Sequence, residues 1–342
     1  MNFKTEITNL HYNRKNNLPN WLKTFLVIGS VGYGLVTAIR NLLYDRYILP
    51  IDCVGAKVIS VGNLTTGGVG KTPVVANIAN YFAKNEKERV CIISRGYGGH
   101  LDNKEINIIK QNGKILFDAY YAGDEPYWLS ENTMPNVIVL TCANRVKACN
   151  FAVNELGATK IVLDDAFQHR KIHRDVDIVL VDSEMRFGNE KVLPLGPLRE
   201  FQSGIKRADV IYVVSKNTNH TNAINYAKSL AKKYRKDVRI CRVEPDKIYN
   251  IKTGKEFNRM DFAVAVCAIG QPEQFFQFLD GCKIAKTVTF EDHHTYTRED
   301  ISSLRSAIIT TEKDAVKIKH FGFQDIYALK LKTELDLEGI FD

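Results

Sequence analysis

A glycine-rich loop between an apolar strand and a helix constrains this chain more than any other segment. Residues 57–61, KVISV, lead into Gly62, and Lys71, Thr72 and Pro73 open a helical pattern after the loop. Glycines let successive backbone N–H groups turn toward a phosphate, and the N-terminus of a helix adds positive potential there. The segment therefore predicts a P-loop, in which Lys71 bridges the β- and γ-phosphates of ATP and Thr72 holds Mg²⁺.

The loop departs from the usual pattern at one position. Thr65 stands where the first glycine of a P-loop is expected, so the chain carries a variant of the loop. The segment still predicts backbone and side-chain contacts with the nucleotide. The expected nucleotide-binding residues are Thr65, Thr66, Gly67, Gly68, Val69, Gly70, Lys71 and Thr72.

Two aspartates end a second apolar strand. Residues 160–163, KIVL, run directly into Asp164 and Asp165. A P-loop needs a carboxylate for Mg²⁺ at the end of a neighbouring strand, and either aspartate can reach the metal directly or through water. We therefore predict that Asp164 and Asp165 join Thr72 at the metal.

A further acidic segment, GDEP at residues 123–126, leaves two interpretations open. Asp124 precedes a predicted helix, so it is either a general base toward a hydroxyl group or an N-cap of that helix. In the C-terminal part, His293 either orients a carboxylate across a cleft or is an ordinary surface histidine. Arg95, which follows the strand VCIIS, and Arg199 are candidate phosphate contacts at strand ends.

Alternating apolar strands and helices predict an α/β fold. The fold class is a P-loop kinase-type, mostly parallel sheet with helices on both faces, a smaller C-terminal α/β domain and an N-terminal membrane-associated helix. We predict an N-terminal helical segment at residues 1–50, a P-loop nucleotide-binding core at 51–240, a two-stranded linker at 241–260 and the smaller domain at 261–342.

The predicted N-terminal helix contains a long run of mostly apolar residues. Residues 25–39, FLVIGSVGYGLVTAI, lie between Lys23 and the pair Arg40 and Arg46. A full membrane span needs about 20 apolar residues. This shorter, glycine-rich run predicts an interfacial or partly inserted anchor with basic flanks toward anionic lipid, and a buried helix before the first strand is the alternative.

Composition excludes some classes of protein. Lys and Arg number 47 against 39 Asp and Glu, giving a net charge of +8, which favours an anionic partner without choosing one. The seven cysteines show no C-x-x-C spacing, so they indicate small core residues in a reducing compartment. A disulfide frame or a zinc site is therefore not expected.

Eight segments in order give the chain a specific resemblance. They are VGNLTTGGVGKTP, SRGYGG, GDEP, LDDAFQHR, LPLGPLRE, IGQPEQF, EDHHTYT and TTEKDAVK, and they span from about Tyr33 to about Lys317. Together they resemble the tetraacyldisaccharide 4'-kinase family. The N-terminal YGLVTAIRNLLYD resembles that family's membrane-associated helix.

The resemblance implies an activity and a set of roles. It implies transfer of the ATP γ-phosphate to the 4'-hydroxyl of tetraacyldisaccharide 1-phosphate to form lipid IVA in lipid A biosynthesis. The family's base and its histidine partner match Asp124 and His293. The other residues to which it assigns metal, phosphate or substrate contacts match Arg95, Glu125, Gln168, Arg199 and Glu200, with Glu200 at the metal.

The resemblance also implies a cellular location, cofactors and partners. We expect a peripheral or monotopic protein on the cytoplasmic face of the bacterial inner membrane, with ATP and Mg²⁺ as cofactors. Its expected partners are the lipid substrate and the membrane surface, with no nucleic acid and no obligate protein partner.

Three other functions are weighed against this one. A P-loop ATPase of the partitioning or metal-insertion type also uses G-G-V-G-K-T, but it needs neither GDEP nor the Asp-His-His segment. A GTPase needs N-K-x-D to recognise guanine, and residues 311–314, TEKD, do not supply it. A nucleic-acid-binding protein would need an aromatic and basic platform, which the sequence lacks.

Overall fold

The computed structural model describes residues 3–216, 219–257, 261–270, 272–291, 294–304 and 307–342. Within them the strands are β1 (Lys57–Asn63), β2 (Val90–Ser94), β3 (Asn107–Gln111), β4 (Lys114–Ile115), β5 (Ile138–Thr141), β6 (Lys160–Asp164), β7 (Val176–Asp182), β8 (Val210–Ser215), β9 (Asp237–Asn250), β10 (Glu256–Phe257), β11 (Phe262–Cys267), β12 (Ile284–Thr289), β13 (Ile308–Thr311) and β14 (Ile326–Glu334). The helices are α1 (Phe3–His11), α2 (Asn20–Asp45), α3 (Lys71–Ala83), α4 (Ala119–Ala122), α5 (Asp124–Glu131), α6 (Arg145–Asn154), α7 (Thr221–Tyr234), α8 (Pro272–Phe278), α9 (Arg298–Ser302) and α10 (Glu312–Ile318).

The strands form one continuous sheet in the order β12-β11-β13-β14-β9-β8-β7-β1-β6-β2-β5-β3-β4, and β10 pairs with β9. In its N-terminal half, β1 lies between β6 and β7, and both pairs are parallel. Every residue of β7 is buried, as expected for a parallel strand covered on both faces. The predicted mostly parallel α/β fold is therefore confirmed. This arrangement places the ends of β1, β6 and β2 side by side.

The long strand β9 connects the two halves of the sheet. It pairs in parallel with β8 and antiparallel with β14, which belongs to the C-terminal half. The sequence predicts a two-stranded linker at 241–260, in which the apolar runs 238–243 and 248–251 pair with each other. They instead lie along one strand, because β14 supplies the neighbour along most of β9 and β10 pairs only with Ile248 and Tyr249.

The C-terminal residues return to the first half of the protein. The ring of Phe341 packs against Phe82 with centroids 4.8 Å apart, and its carbonyl oxygen accepts a hydrogen bond from Lys57. Tyr212 likewise donates to the carbonyl oxygen of Asp336. The last residues of the predicted smaller domain thus pack on the nucleotide-binding half.

Helix α2 has two different faces. Small and polar side chains, among them Ser30 and Thr37, are buried against the protein, and Ser30 Oγ donates to the carbonyl oxygen of Val192 at 2.8 Å. The opposite face exposes large apolar side chains, including Val31 at 67% and Val36 at 65%. Among the described residues, α2 is the helix long and apolar enough to cross a membrane by length and composition.

The close approach of β1 to the segment after β6 gives a test of this packing. A Cβ added at Gly62 would lie 2.6 Å from Phe167 Cβ and 2.8 Å from its backbone nitrogen. Because the backbone atom cannot rotate away, we expect Gly62→Ala to lower the free energy of unfolding by roughly 1–3 kcal/mol. Denaturant titration measures this change.

Gly55→Ala is the matched control for this substitution. A Cβ at Gly55 would meet only Val153 Cγ1, at an ordinary 3.7 Å. We expect a change of less than about 0.5 kcal/mol for this variant. Equal stability of the two variants would contradict the packing described for β1.

Candidate active site

The P-loop follows β1 and ends where α3 begins. Gly67 and Gly70 have backbone φ angles of 115° and 98°, which side-chain-bearing residues rarely adopt. Thr65 needs no such freedom. It forms an isolated antiparallel bridge with Leu198, and its hydroxyl accepts a hydrogen bond from Asn63 Nδ2 at 3.3 Å. The threonine that departs from the usual pattern is therefore a structural attachment of the loop.

A network of charges fixes the P-loop lysine. Lys71 Nζ lies 3.5 Å from Asp165 Oδ1, and Arg199 Nη1 donates to the same oxygen at 2.7 Å. Lys71 also donates to Asn63 Oδ1 at 3.4 Å. Burial alone would raise the pKa of Asp165, but the charges of Lys71 and Arg199 outweigh it and lower the pKa. Asp165 is thus held as a carboxylate beside the lysine.

Asp164 occupies a different environment from its neighbour. Its side chain is 2% exposed, and Ser94 Oγ donates to Oδ2 at 3.1 Å. Its other oxygen, Oδ1, has no hydrogen-bond partner among the residues that the structure describes. Burial, together with the nearby carboxylates of Glu125 and Asp165, raises the pKa of Asp164 to about 7.

These observations fit a cation at Asp164. A buried carboxylate with one open oxygen is costly unless it pairs with positive charge. The described residues contain no group of three His, Cys, Asp or Glu side chains that could hold a metal alone. Mg²⁺ is commonly held by one or two carboxylates together with substrate phosphates, so the residues present suit it. Asp164 is the better placed of the two aspartates for direct contact.

Glu200, also predicted at the metal, has other partners. Its Oε1 accepts from Gln168 Nε2 at 3.0 Å and from Arg207 at 2.9 Å, and its Oε2 accepts from Asn41 Nδ2 at 2.7 Å. Gln168 in turn donates to the carbonyl oxygen of Asn63 at 3.0 Å. The carboxylate and the amide therefore support the strand end that carries the P-loop. Oε1 thus accepts two hydrogen bonds and Oε2 one, and direct metal contact by Glu200 stays a prediction.

Helix α2 contributes three polar side chains to the site, a role that the sequence did not indicate. Arg40 was expected only as a basic flank toward anionic lipid. Tyr33 Oη donates to the carbonyl oxygen of Arg199 at 2.8 Å, Arg40 donates to the carbonyl oxygen of Gln168, and Asn41 holds Glu200. Their spacing places them on one face of an otherwise apolar helix, and that spacing was the available signal. The helix with the exposed apolar face therefore touches the segments that fix Lys71.

A third element brings the C-terminal half to the site. Asp124 is the first residue of α5, and the N-cap position is occupied by Gly123, which has no side chain to form a cap. The structure thus excludes the N-cap interpretation of Asp124. Its Oδ2 lies 3.1 Å from Lys317 Nζ on α10. The predicted partner His293 lies outside the described residues, and the neighbouring His294 accepts from Lys317 through its carbonyl oxygen at 3.2 Å.

The remaining predicted contacts lie around Asp164. Glu125 adjoins Asp124, and its charge acts on Asp164. Arg95 is exposed at the end of β2. Arg145, which the sequence did not indicate, is 4% exposed and donates to the carbonyl oxygen of Asp164 at 3.3 Å. Burial, opposed by Asp164 and reinforced by Arg95, lowers the pKa of Arg145.

A P-loop at the end of a parallel strand, with two aspartates at the end of the next strand, defines the class of P-loop nucleotide-binding proteins, which includes kinases and ATPases. The model of the tetraacyldisaccharide-1-P 4'-kinase family matches residues 22–341. The chain belongs to this family.

Known proteins of this family are similar to this chain over most of their length. Tetraacyldisaccharide 4'-kinase of Halothermothrix orenii is 35% identical, covering 91% of this chain and 88% of its own. The enzyme of that name from Geobacter sulfurreducens is 34% identical, with 87% and 84% covered. The crystal structure of LpxK from Aquifex aeolicus in complex with ATP superimposes with a TM-score of 0.74 at 31% identity, covering 93% of this chain and 96% of that one.

The environment of Asp164 predicts a dependence of stability on pH in the ligand-free protein. Because burial and the neighbouring carboxylates raise its pKa from 3.8 to about 7, the folded state favours the protonated form. Its contribution is fully present below the pKa of the unfolded chain and is lost as pH rises through the folded pKa. We expect Asp164→Asn to raise Tm above the wild-type value at about pH 8, with the two curves converging near pH 4.

Differential scanning calorimetry in EDTA measures both profiles. Ser183→Ala is the control, because Ser183 is equally buried and carries no charge. If Asp164→Asn lowered Tm at the alkaline end, the carboxylate would be stabilised by partners that the structure does not contain.

Proposed function

We propose that this chain transfers the γ-phosphate of ATP to the 4'-hydroxyl of tetraacyldisaccharide 1-phosphate, a step of lipid A biosynthesis. The observation that carries the proposal is the arrangement of Lys71, Asp165 and Arg199 at the end of β1, in a chain of this family. Lys71 and Arg199 would bind the phosphates of ATP, and Asp164 and Thr72 would hold Mg²⁺. Bound Mg²⁺ would neutralise charge on the β- and γ-phosphates.

The reaction also needs an acceptor for the hydroxyl proton. We assign Asp124 as the general base, as the resemblance to the family implies. The 4'-oxygen would form its bond to the γ-phosphorus while the bond from that phosphorus to the bridging oxygen breaks. The proton would pass to Asp124, and ADP would leave. Lys71, Arg199 and Arg95 would stabilise charge on the transferred group.

The remaining assignments stay part of the proposal. His293 would pair with Asp124, and Glu125 and Gln168 would contact substrate or support the residues that do. The backbone from Thr65 to Gly70 would surround the phosphates. We retain the division into an N-terminal segment, a nucleotide-binding core, a linker and a smaller C-terminal domain as the functional organisation of the chain.

The substrate's acyl chains imply a membrane surface, and α2 provides a face for it. Its exposed large apolar residues include Phe25, Ile28, Val31, Leu35 and Val36. A contiguous exposed apolar stripe on a helix is typical of an interfacial segment. We propose that this face lies in the cytoplasmic leaflet of the bacterial inner membrane and delivers the lipid headgroup to the site.

A kinase assay tests the activity. We would incubate the purified protein in detergent micelles with Mg·ATP labelled at the γ-phosphate and the disaccharide 1-phosphate, and measure label in the lipid. Lys71→Met and Asp124→Asn should each lower kcat by at least about 100-fold, because they remove phosphate binding and the base.

Lys84→Met is the matched control, because Lys84 lies at the opposite end of α3 and is exposed. It should retain wild-type turnover. Hydrolysis of ATP by the wild type without transfer to lipid, unchanged when lipid is added, would favour the alternative P-loop ATPase of the partitioning or metal-insertion type.

Flotation with phosphatidylethanolamine–phosphatidylglycerol vesicles tests the membrane assignment. Val31→Lys with Val36→Lys places two charges on the apolar face of α2. We expect the partition coefficient of this variant between vesicles and water to be about tenfold lower than that of the wild type. Asn150→Lys with Asn154→Lys adds the same charge on α6, where both residues are exposed. Loss of binding in the α6 control, or its persistence in the α2 variant, would contradict the assignment.

A further inference from the structure

Lys317 joins three segments of the protein at one ammonium group. Its Nζ lies 3.1 Å from Asp124 Oδ2 and 3.2 Å from the carbonyl oxygen of His294. The side chains of Lys317 and Asp124 are 13% and 22% exposed, so water reaches this ion pair poorly. Helix α10 of the C-terminal half is thereby bonded to the residue that begins α5.

A second lysine, Lys319, also forms an ion pair with α5, but at the end of the helix far from Asp124. Lys319 lies 3.8 Å from Glu131, at the far end of α5, and its side chain is 59% exposed. An exposed ion pair at this distance contributes little to stability. The chain thus offers two lysines that link one pair of segments, of which only Lys317 touches the proposed base.

Charge explains why an ammonium group at this position matters. A carboxylate that accepts a proton must be ionised, and it must hold one orientation toward the hydroxyl. The phosphates of ATP bound at Lys71 would repel an isolated carboxylate nearby. A neighbouring ammonium offsets this repulsion and limits rotation of the side chain.

We propose that Lys317 is a positioning residue for Asp124, an inference that rests on the proposed function. It fixes the carboxylate of Asp124 and, through the carbonyl oxygen of His294, the backbone next to the predicted partner His293. The C-terminal half therefore contributes to catalysis through Lys317 as well as through the Asp-His-His segment. Lys317 itself does not transfer a proton.

Steady-state kinetics of four variants test this inference. Lys317→Met should lower kcat by about 10- to 100-fold with the KM for ATP changed by less than about threefold, because the base is misplaced while the P-loop is intact. Lys317→Arg should recover most of the turnover. In Lys317→Met combined with Asp124→Asn, kcat should equal that of Asp124→Asn alone, because both changes remove the same function.

Lys319→Met is the matched control and should keep kcat within about twofold of wild type. A thermal unfolding scan of each variant separates loss of turnover from loss of fold. Wild-type turnover in Lys317→Met, equal losses in Lys317→Met and Lys319→Met, or multiplied losses in the double variant would each overturn the role of Lys317 while leaving the kinase activity in place. Absence of lipid phosphorylation by the wild type would overturn the proposed function and this inference together.

Discussion

The position of Lys71 depends on an ion-pair network whose members come from separate parts of the sheet. Asp165 follows β6, Arg199 lies in the loop after β7, and Lys71 opens α3 after β1. They meet only because β1 pairs in parallel with both β6 and β7, which brings the carboxyl ends of these strands to one edge. Parallel pairing therefore creates the proposed phosphate site. The carboxylate of Asp165, which Arg199 also contacts, holds Lys71 there. Asp165 has a backbone φ of 51°, a strained value for a residue with a side chain, which fits a functional position.

Helix α2 links this site to the proposed membrane surface. Its buried face bonds the segments that carry Arg199, Gln168 and Glu200, and its opposite face is apolar and exposed. A helix that lies in a lipid interface is held there by its apolar side chains, so its polar side chains keep a defined height above the acyl region. The proposed phosphate site is thus bonded to the helix that we propose meets the lipid. Lys317 makes a second such connection, because it bonds helix α10 of the C-terminal half to Asp124.

The features that could be predicted from the sequence are those encoded by residues close together along the chain. The strand, the glycines and Lys71 are contiguous, so both the loop and its place at the sheet edge followed from residues 57–73, and the paired aspartates followed from the strand before them. The contact of Asn41 with Glu200 joins residues 159 positions apart, and no local pattern specifies it. The same holds for Lys317 and Asp124. The resemblance to the family, and no local pattern, predicted Glu200 at the metal. In the structure its carboxylate accepts hydrogen bonds from Asn41, Gln168 and Arg207, and the metal contact stays a prediction. The antiparallel neighbour of β9 was also missed, because β14 lies far along the chain.

The position of the transferred phosphate tests the account most directly. Wild-type protein would be incubated with Mg·ATP and tetraacyldisaccharide 1-phosphate in micelles, and the purified lipid would be examined by ³¹P–¹H correlation NMR. The account predicts a new phosphate monoester correlated with the proton at carbon 4' of the distal glucosamine, beside the unchanged 1-phosphate signal. A phosphate correlated with another ring position, a diphosphate at carbon 1, or inorganic phosphate with unmodified lipid would contradict it.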